Sequence, residues 1–222
     1  MGGVRTNRSF HALVAAMLAL CATPAQARHH KHKPGPPGFD YYVLSLSWSP
    51  QHCAGGLKRA GDLQCATPRR YGFVLHGLWP QDESGYPQMC ASDSTVNARI
   101  VDNMLDIMPS RELVRHEWSK HGTCSGLSPD AYFAAARGAF AAVKIPAPYD
   151  APTAAMRTNV GEIEQAFQRA NPGLGSDAMA VLCNGKFLQE VRVCLDKELH
   201  ARHCGRDVRN ACHDSVVVRP LR

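Results

Sequence analysis

The sequence lacks close cysteine pairs, long apolar runs and internal repeats, each of which would indicate a particular class of protein. Because it contains no C-x-x-C pair, a cysteine-based zinc site is not expected. The apolar stretch at residues 12–20 is too short to cross a bilayer, and no second apolar run follows it. No repeat is apparent, so a repeat architecture is not expected either.

The first 27 residues contain the three parts of a cleavable export signal. Arg5 and Arg8 form a positive n-region, residues 12–20 form the apolar core, and residues 25–27 (Ala-Gln-Ala) form a small-x-small cleavage site. We therefore expect an exported protein, secreted or periplasmic, with no membrane anchor. No Asn-x-Ser/Thr sequon follows residue 27, which favours a bacterial protein in the periplasm or the medium.

The composition after the signal favours one globular domain preceded by a tail. Removing residues 1–27 takes away two arginines and no acid, so the net charge falls from +6 to +4, a weak indication of a polyanionic partner. Residues 28–38 are rich in Pro, Gly, His and Lys and have no apolar side chain to bury. We predict a disordered basic tail there, although its histidines could bind a transition metal. Residues 39–222 are long enough for one domain with its own core.

The cysteine count indicates a disulfide framework. The chain has 9 cysteines, and one of them, Cys21, lies in the predicted signal. An even number in an oxidising compartment favours disulfides over a metal site. Spacing alone leaves about 105 connectivities open for the remaining eight. Those eight are Cys53, Cys65, Cys90, Cys124, Cys183, Cys194, Cys204 and Cys212.

Hydrophobic periodicity predicts strands at both ends of the domain and helices in the middle. Residues 39–49 alternate like a half-buried strand, and residues 71–80 form an apolar strand in which His76 shares a side with Val74 and Leu78. Four helices are predicted, at residues 94–108, from about residue 110, at 128–143 and at 160–170. Further strands are predicted at residues 179–183, 187–195 and 215–218. This order predicts an α+β fold, a single domain with a central antiparallel sheet, helices grouped on one side and disulfide staples.

Residues 116–124 (HEWSKHGTC) carry two imidazoles, a carboxylate and an ammonium within six positions. On a helix, His116, Glu117, Lys120 and His121 share one face, and the spacing of Glu117 and His121 predicts a contact between their side chains. Two groups that titrate near neutrality, beside a cation and an anion, indicate acid/base chemistry on an anionic substrate. A solvated helical surface is the alternative.

Two long motifs resemble the active-site segments of the ribonuclease T2 family. These are residues 73–80 (FVLHGLWP) and 116–124 (HEWSKHGTC), and residues 42–48 (YVLSLSW) resemble the first core strand of that family. The resemblance implies an endoribonuclease that cleaves single-stranded RNA with low base specificity through 2′,3′-cyclic phosphates, with later hydrolysis to 3′-phosphates left open. It also implies a monomer that needs no metal, no cofactor and no obligate protein partner.

The same resemblance implies a role for each group that is suited to this chemistry. His121 would be the general base and His76 the general acid. His116 would bind the phosphate, while Glu117 and Lys120 would stabilise the pentacovalent transition state. Cleavage by the 2′-OH needs such an acid and base, and charge on the phosphate needs nearby donors.

Substrate-binding residues and disulfide pairs also follow from the resemblance. Trp79 would help to hold the nucleotide. Gln81 and Leu113 stand where many relatives have an aspartate and an aromatic residue, in or near the base pocket, so weak base discrimination is expected. The implied disulfides are Cys53–Cys65, Cys90–Cys124, Cys183–Cys212 and Cys194–Cys204.

Two other functions compete with this interpretation. A zinc protease would need H-E-x-x-H, but Lys120 occupies the place of the second histidine and would repel the ion. An RNA-binding protein without activity would be indicated by loss of His76 or His121, and both are present. Cleavage of RNA in the presence of EDTA would separate the three functions.

Overall fold

The computed structural model describes residues 1–3, 38–55, 63–66 and 70–221. The chain divides into two compact units, residues 1–32 and 33–222, and all the strands and helices below belong to the second unit. Of the first unit only residues 1–3 are described. The predicted signal peptide and the predicted basic tail therefore lie almost entirely outside the described residues. No helix in the described ranges is long and apolar enough to span a membrane.

Six strands form one sheet in the described part of the chain. The strands are β1 Tyr41–Trp48, β2 Phe73–Gln81, β3 Met156–Thr158, β4 Met179–Asn184, β5 Phe187–Leu195 and β6 Val216–Val218. Their order in the sheet is β2-β1-β5-β6-β3, and β4 pairs with β5.

The α+β fold predicted from the sequence is confirmed, but the sheet is mixed. Most neighbouring strands are antiparallel, whereas β6 runs parallel to β5, with Val217 opposite Phe187. The chain leaves β5 at Leu195 and enters β6 only at Val216. This long connection returns along the sheet before β6 begins, which allows the two strands to run in the same direction.

Polar caps define where the main helices begin. The side chains of Ser110, Ser128 and Asn159 each accept a hydrogen bond from a backbone N–H in the first turn of their helices. The helix predicted from residue 94 begins only after Asn97, whose side chain accepts from the Arg99 N–H. The helices are α1 Ser49–Ala54, α2 Ala98–Met104, α3 Arg111–Lys120, α4 Pro129–Ala142, α5 Ala147–Asp150 and α6 Val160–Ala170.

The two faces of the sheet are covered differently. Strand residues such as Leu44 and Leu75 pack with the helices in the main core, which confirms that the helices lie on one side. The opposite face carries a smaller cluster without helical residues, including Tyr41, Val43 and Val208. The prediction that β1 is half-buried is therefore wrong, because the C-terminal segment covers its second face.

A β-bulge in β2 determines where His76 points. Ser45 of β1 pairs with Gly77, but the next residue, Leu46, pairs with Leu75, so His76 is an extra residue in β2. Leu75 and Leu78 both enter the main core as a result. The prediction that His76 shares a side with Leu78 is wrong, because the bulge interrupts the alternation on which it rested.

Four disulfides join segments of this domain, and they are the pairs that the resemblance implies. They are Cys53–Cys65, Cys90–Cys124, Cys183–Cys212 and Cys194–Cys204. Two of them bear on the site: Cys90–Cys124 follows the end of α3, and Cys194–Cys204 ties β5 to the C-terminal segment.

Candidate active site

A cavity of about 280 Å³ brings β2 together with the C-terminal end of α3. Its walls also include residues from β1, β5 and two loops. The lining residues are Val43, His76, Trp79, Gln81, Tyr86, His116, Glu117, Lys120, His121, Arg192, Asp207 and Val208. The five residues predicted to be catalytic therefore meet in one cavity.

Gly77 allows α3 to approach the bulge of β2. A Cβ atom added at this position would overlap Oε2 of Glu117 and Nε1 of Trp79. Without that Cβ, the Trp79 indole N–H donates to Oε2 of Glu117 at 2.6 Å. The glycine in the motif therefore creates the space for a buried hydrogen bond between β2 and α3.

His76 is held by a carboxylate on β5. Its Nδ1 lies 2.9 Å from Oε2 of Glu190, and its Nε2 lies 3.8 Å from Oε1 of Glu117. Burial by itself lowers the pKa of His76, but the hydrogen bond with Glu190 and the charges of Glu117 and Glu190 outweigh it, so the pKa is raised from 6.5. His76 is therefore biased towards the protonated form.

The Glu190 carboxylate is held by two side chains, His76 and Arg192. Its other oxygen, Oε1, accepts from Nε of Arg192 at 2.5 Å, and the guanidinium lies over the Trp79 ring at 4.9 Å. Burial raises the pKa of Glu190, but the contacts with His76 and Arg192 prevail and lower it. An ionised Glu190 fixes the orientation of the His76 ring and places Nε2 towards Glu117.

Glu117 is almost fully buried, with 1% of its surface exposed. Burial raises its pKa to about 7, against the opposing effects of His76, the Trp79 N–H and Lys120. At weakly acidic pH its carboxyl group is therefore largely neutral and can donate a hydrogen bond.

His121 follows the last residue of α3 and packs on Trp79, with ring centroids 5.2 Å apart and planes 26° from parallel. It is 5% exposed, and burial, followed by the charges of Lys120, His116 and His76, lowers its pKa to about 3. Its Nδ1 is buried and has no hydrogen-bond partner among the described residues. Nε2 remains as the nitrogen that can accept a proton from the cavity.

The predicted contact between the Glu117 and His121 side chains is not observed within the described residues. The link between these positions is a backbone hydrogen bond, from the His121 N–H to the Glu117 carbonyl at 3.0 Å. The Glu117 carboxyl group instead turns towards Gly77 and Trp79, because the bulge of β2 offers it a donor.

His116 and Lys120 form the more open side of the cavity. His116 is exposed at the mouth of the cavity, where partial burial of its ring and then the charges of Lys120 and His76 lower its pKa. The Lys120 ammonium lies 5.9 Å from the ring centre of Tyr86, an aromatic residue that is 45% exposed. This side therefore combines positive charge with an accessible aromatic ring.

The C-terminal end of α3 is tied to the loop before α2. The Met89 N–H donates to the Lys120 carbonyl at 2.8 Å, and the Cys90 N–H donates to Oγ1 of Thr123 at 3.1 Å. The Cys90–Cys124 disulfide closes the same junction. These contacts fix the backbone on both sides of His121.

Of the three residues predicted to bind the substrate, two line the cavity and one does not. Trp79 and Gln81 line the cavity, whereas Leu113 is absent from its walls and packs against the main core. Other lining residues were missed from the sequence, including Tyr86, Arg192 and Asp207. Glu190 and Arg192 are charged residues two positions apart in a largely apolar strand, so they share one face of it. This pattern could have indicated a polar site on that face.

No group of three or more His, Cys, Asp or Glu side chains is placed to hold a metal ion in the described ranges.

Comparison with known proteins identifies the family. The family model described as "Ribonuclease T2 family" matches residues 39–204. A ribonuclease of Aeromonas hydrophila is 39% identical over 164 residues, which cover 72% of this chain and 73% of that protein. An RNase-related protein from Calystegia sepium shares the fold with a TM-score of 0.68 and 24% identity, over 86% of this chain and 99% of that one.

A second solved structure, RNase NT in complex with 5′-AMP, has a TM-score of 0.62 and 23% identity, over 83% of this chain and 100% of that one. The family model spans well over half of the sequence and includes both motifs that line the cavity. The chain belongs to the ribonuclease T2 family and is an endoribonuclease of that type.

Proposed function

We propose that the protein cleaves single-stranded RNA without a metal ion, by attack of the ribose 2′-OH on the adjacent phosphodiester. The observation that carries this proposal is the pair of histidines in one cavity with opposite pKa shifts. His76 is biased towards the protonated form and His121 towards the neutral form. One acid and one base are what the transfer of two protons in this reaction requires.

His121 acts as the general base in this mechanism. Nε2 takes the proton of the 2′-OH, the 2′ oxygen bonds to phosphorus, and the bond to the 5′ oxygen breaks. His76 donates the Nε2 proton to that leaving oxygen, since its Nδ1 is engaged by Glu190. The products are a 2′,3′-cyclic phosphate and a free 5′-OH. Hydrolysis of the cyclic phosphate to a 3′-phosphate would use the same two groups with exchanged roles.

Three further residues bind the phosphate or stabilise the negative charge that develops on its oxygens in the transition state. Lys120 supplies a fixed positive charge, and His116 on the exposed side binds the phosphate of the incoming RNA. Glu117 in its neutral form donates a hydrogen bond to a non-bridging oxygen, a role that burial makes available by raising its pKa to about 7. The negative substrate also offsets the cation repulsion that lowers the pKa of His121, so this base becomes stronger when RNA binds.

The nucleotide is held directly by the aromatic ring of Tyr86, which is accessible near Lys120. Trp79 is buried, with His121 stacked on its ring and the Arg192 guanidinium over it, so it helps to hold the nucleotide by fixing the residues around it. Aromatic rings bind unpaired bases by stacking with little sequence preference, which supports a single-stranded substrate. The 5′-AMP bound to RNase NT, a protein of the same fold, supports a nucleotide site in this chain as well.

The remaining properties concern the whole protein. Residues 1–27 act as a cleavable export signal, residues 28–38 form a basic tail, and residues 39–222 form the catalytic domain of a secreted or periplasmic monomer. The signal pattern and the four disulfides support export to an oxidising compartment.

Incubation with a defined RNA oligonucleotide in EDTA tests the proposal. We expect cleavage to fragments that end in a 2′,3′-cyclic phosphate, which mass spectrometry distinguishes from a 3′-phosphate by the mass of one water. An oligonucleotide with a single 2′-deoxy sugar is the matched control and should resist cleavage at that linkage alone. Cleavage at the deoxy linkage, or a requirement for a divalent ion, would contradict the mechanism.

The pKa shifts also predict the pH dependence. His121 is neutral above its pKa of about 3, and His76 keeps its proton until the pH passes a pKa raised above 6.5. The competent pair therefore predominates at weakly acidic pH, and kcat/KM should decline at higher pH as His76 and Glu117 lose their protons. Because Glu190 raises the pKa of His76, Glu190→Gln should move this decline to lower pH. A wild-type profile that rises through about pH 7 would overturn this assignment.

A further inference from the structure

The segment after Cys204 forms one wall of the cavity. Asp207 and Val208 line it, although they follow residue 204, where the match to the family model ends. Cys204 is bonded to Cys194 of β5, so this segment begins at a fixed point on the sheet. It therefore belongs to the structure of the site and not to a free terminus.

Hydrogen bonds join this segment both to β1 and to the loop that carries Tyr86. The Gly205 N–H donates to the Tyr41 hydroxyl at 3.0 Å, and the Arg206 N–H donates to the Glu83 carbonyl at 3.0 Å. The Gly85 N–H donates to Oδ2 of Asp207. Tyr86 follows Gly85 directly, so Asp207 is held beside the exposed ring.

The position along β2 distinguishes the base end of the cavity from the phosphate end. On the cavity side of β2, His76 is followed by Trp79 and then by Gln81, which pairs with Tyr41 of β1. Because Tyr41 also accepts from Gly205, the C-terminal segment lies at the Gln81 end. The scissile phosphate must lie among the histidines and Lys120, and the Tyr86 ring lies next to them, 5.9 Å from the Lys120 ammonium. A base joined to that phosphate therefore reaches the Gln81 end of the cavity.

The charge of Asp207 also indicates that this residue lies beside a base and not beside the phosphate. A carboxylate close to the phosphate would repel it, whereas beside a base it can accept a hydrogen bond from an amino group. Oδ2 of Asp207 accepts the hydrogen bond from Gly85, whereas Oδ1 has no hydrogen-bond partner within the part of the chain that the structure describes. The free oxygen is an acceptor next to an accessible aromatic ring.

We propose that Asp207 is a specificity-determining residue, whose Oδ1 accepts a hydrogen bond from the exocyclic amino group of the base that contacts Tyr86. This inference rests on the proposed function, since it places a nucleotide of the RNA substrate in the cavity. Cytosine carries an amino group where uracil carries a carbonyl oxygen, and the two bases have almost the same size. The site therefore prefers cytosine over uracil, while both remain substrates because Tyr86 can stack on either.

Rates on dinucleoside phosphates with cytosine or uracil at each position test the inference. We expect kcat/KM to favour cytosine by about tenfold at one of the two positions, the effect of one hydrogen bond to a charged group at a partly open site. Asp207→Asn should abolish the preference for cytosine or reverse it, because the amide NH2 that replaces Oδ1 cannot accept from cytosine but can donate to the carbonyl oxygen of uracil. Its amide oxygen can still accept from the Gly85 N–H, so the loop contact is kept while the charge is removed. Asp214→Asn, an exposed carboxylate of the same terminal region, is the matched control and should leave the ratio unchanged.

Two results would overturn the role of Asp207. One is an unchanged ratio in Asp207→Asn, and the other is an equal loss on all substrates, which would make Asp207 a support for the Tyr86 loop only. If the wild-type protein cleaves no RNA, the proposed function fails separately, and calorimetry with 3′-CMP and 3′-UMP still tests the base preference. Equal affinity of the wild-type protein for the two nucleotides would then reject it.

Discussion

Replacing His121 or His76 with alanine is expected to lower kcat/KM on RNA by about 10²–10⁴-fold in each case, the usual contribution of general acid–base catalysis. The free-energy losses should not add in the double variant, because the two residues act in the same step and removing either one already prevents the paired proton transfer. His116→Ala should have a smaller effect, mainly on KM, since the role proposed for this exposed side chain is to bind the phosphate. Rates on a dinucleoside phosphate measure all three.

The structure requires one control for the His121 variant. The ring is buried against Trp79, so alanine removes volume as well as a base, and His121→Asn keeps more of that volume. Loss of activity in His121→Asn, with an unchanged thermal unfolding midpoint, would assign the loss to proton transfer. Turnover close to wild type in either His121 variant would remove this residue from the mechanism. His213→Ala, an exposed histidine that does not line the cavity, should be neutral.

Gly77→Ala is expected to reduce activity by about 100-fold or more, although it adds a single methyl group. That methyl would overlap the Glu117 carboxyl group and the Trp79 indole, so the hydrogen bond between them must open. Trp79 supports the His121 ring, and Glu117 lies beside His76. A displacement of about 1 Å in such a site can cost about 100-fold in rate. Steady-state kinetics should show the loss mainly in kcat.

Gly138→Ala is the matched control for this substitution. Gly138 is an exposed residue of α4, and an added Cβ meets no atom within 4 Å. Alanine there should leave activity unchanged and raise stability by about 0.5–1 kcal/mol, because glycine is unfavourable inside a helix. For Gly77→Ala, overpacking should lower stability by about 1–3 kcal/mol. Wild-type activity in Gly77→Ala would mean that contact between Trp79 and Glu117 is not needed for catalysis.

Local chemistry allowed much of the fold to be predicted. The capping side chain of Ser128 and the proline after it define the start of α4, as its sequence predicted. Alternation located β1 and an apolar run located β2, but neither pattern could show that both faces of β1 are buried or that β2 contains a bulge. Both depend on contacts with distant segments, which local periodicity does not record.

The sequence by itself determined which residues can carry the chemistry, because His76 lies in one unusual motif and His116, Glu117, Lys120 and His121 lie in another. Only the tertiary structure decided how each of them behaves. Glu190 reaches His76 from a strand 114 positions away, and Asp207 reaches the Tyr86 loop from beyond the last motif. A pKa depends on burial and on the charges nearby in space, so the opposite shifts of His76 and His121 arise only when the folded chain brings these groups together.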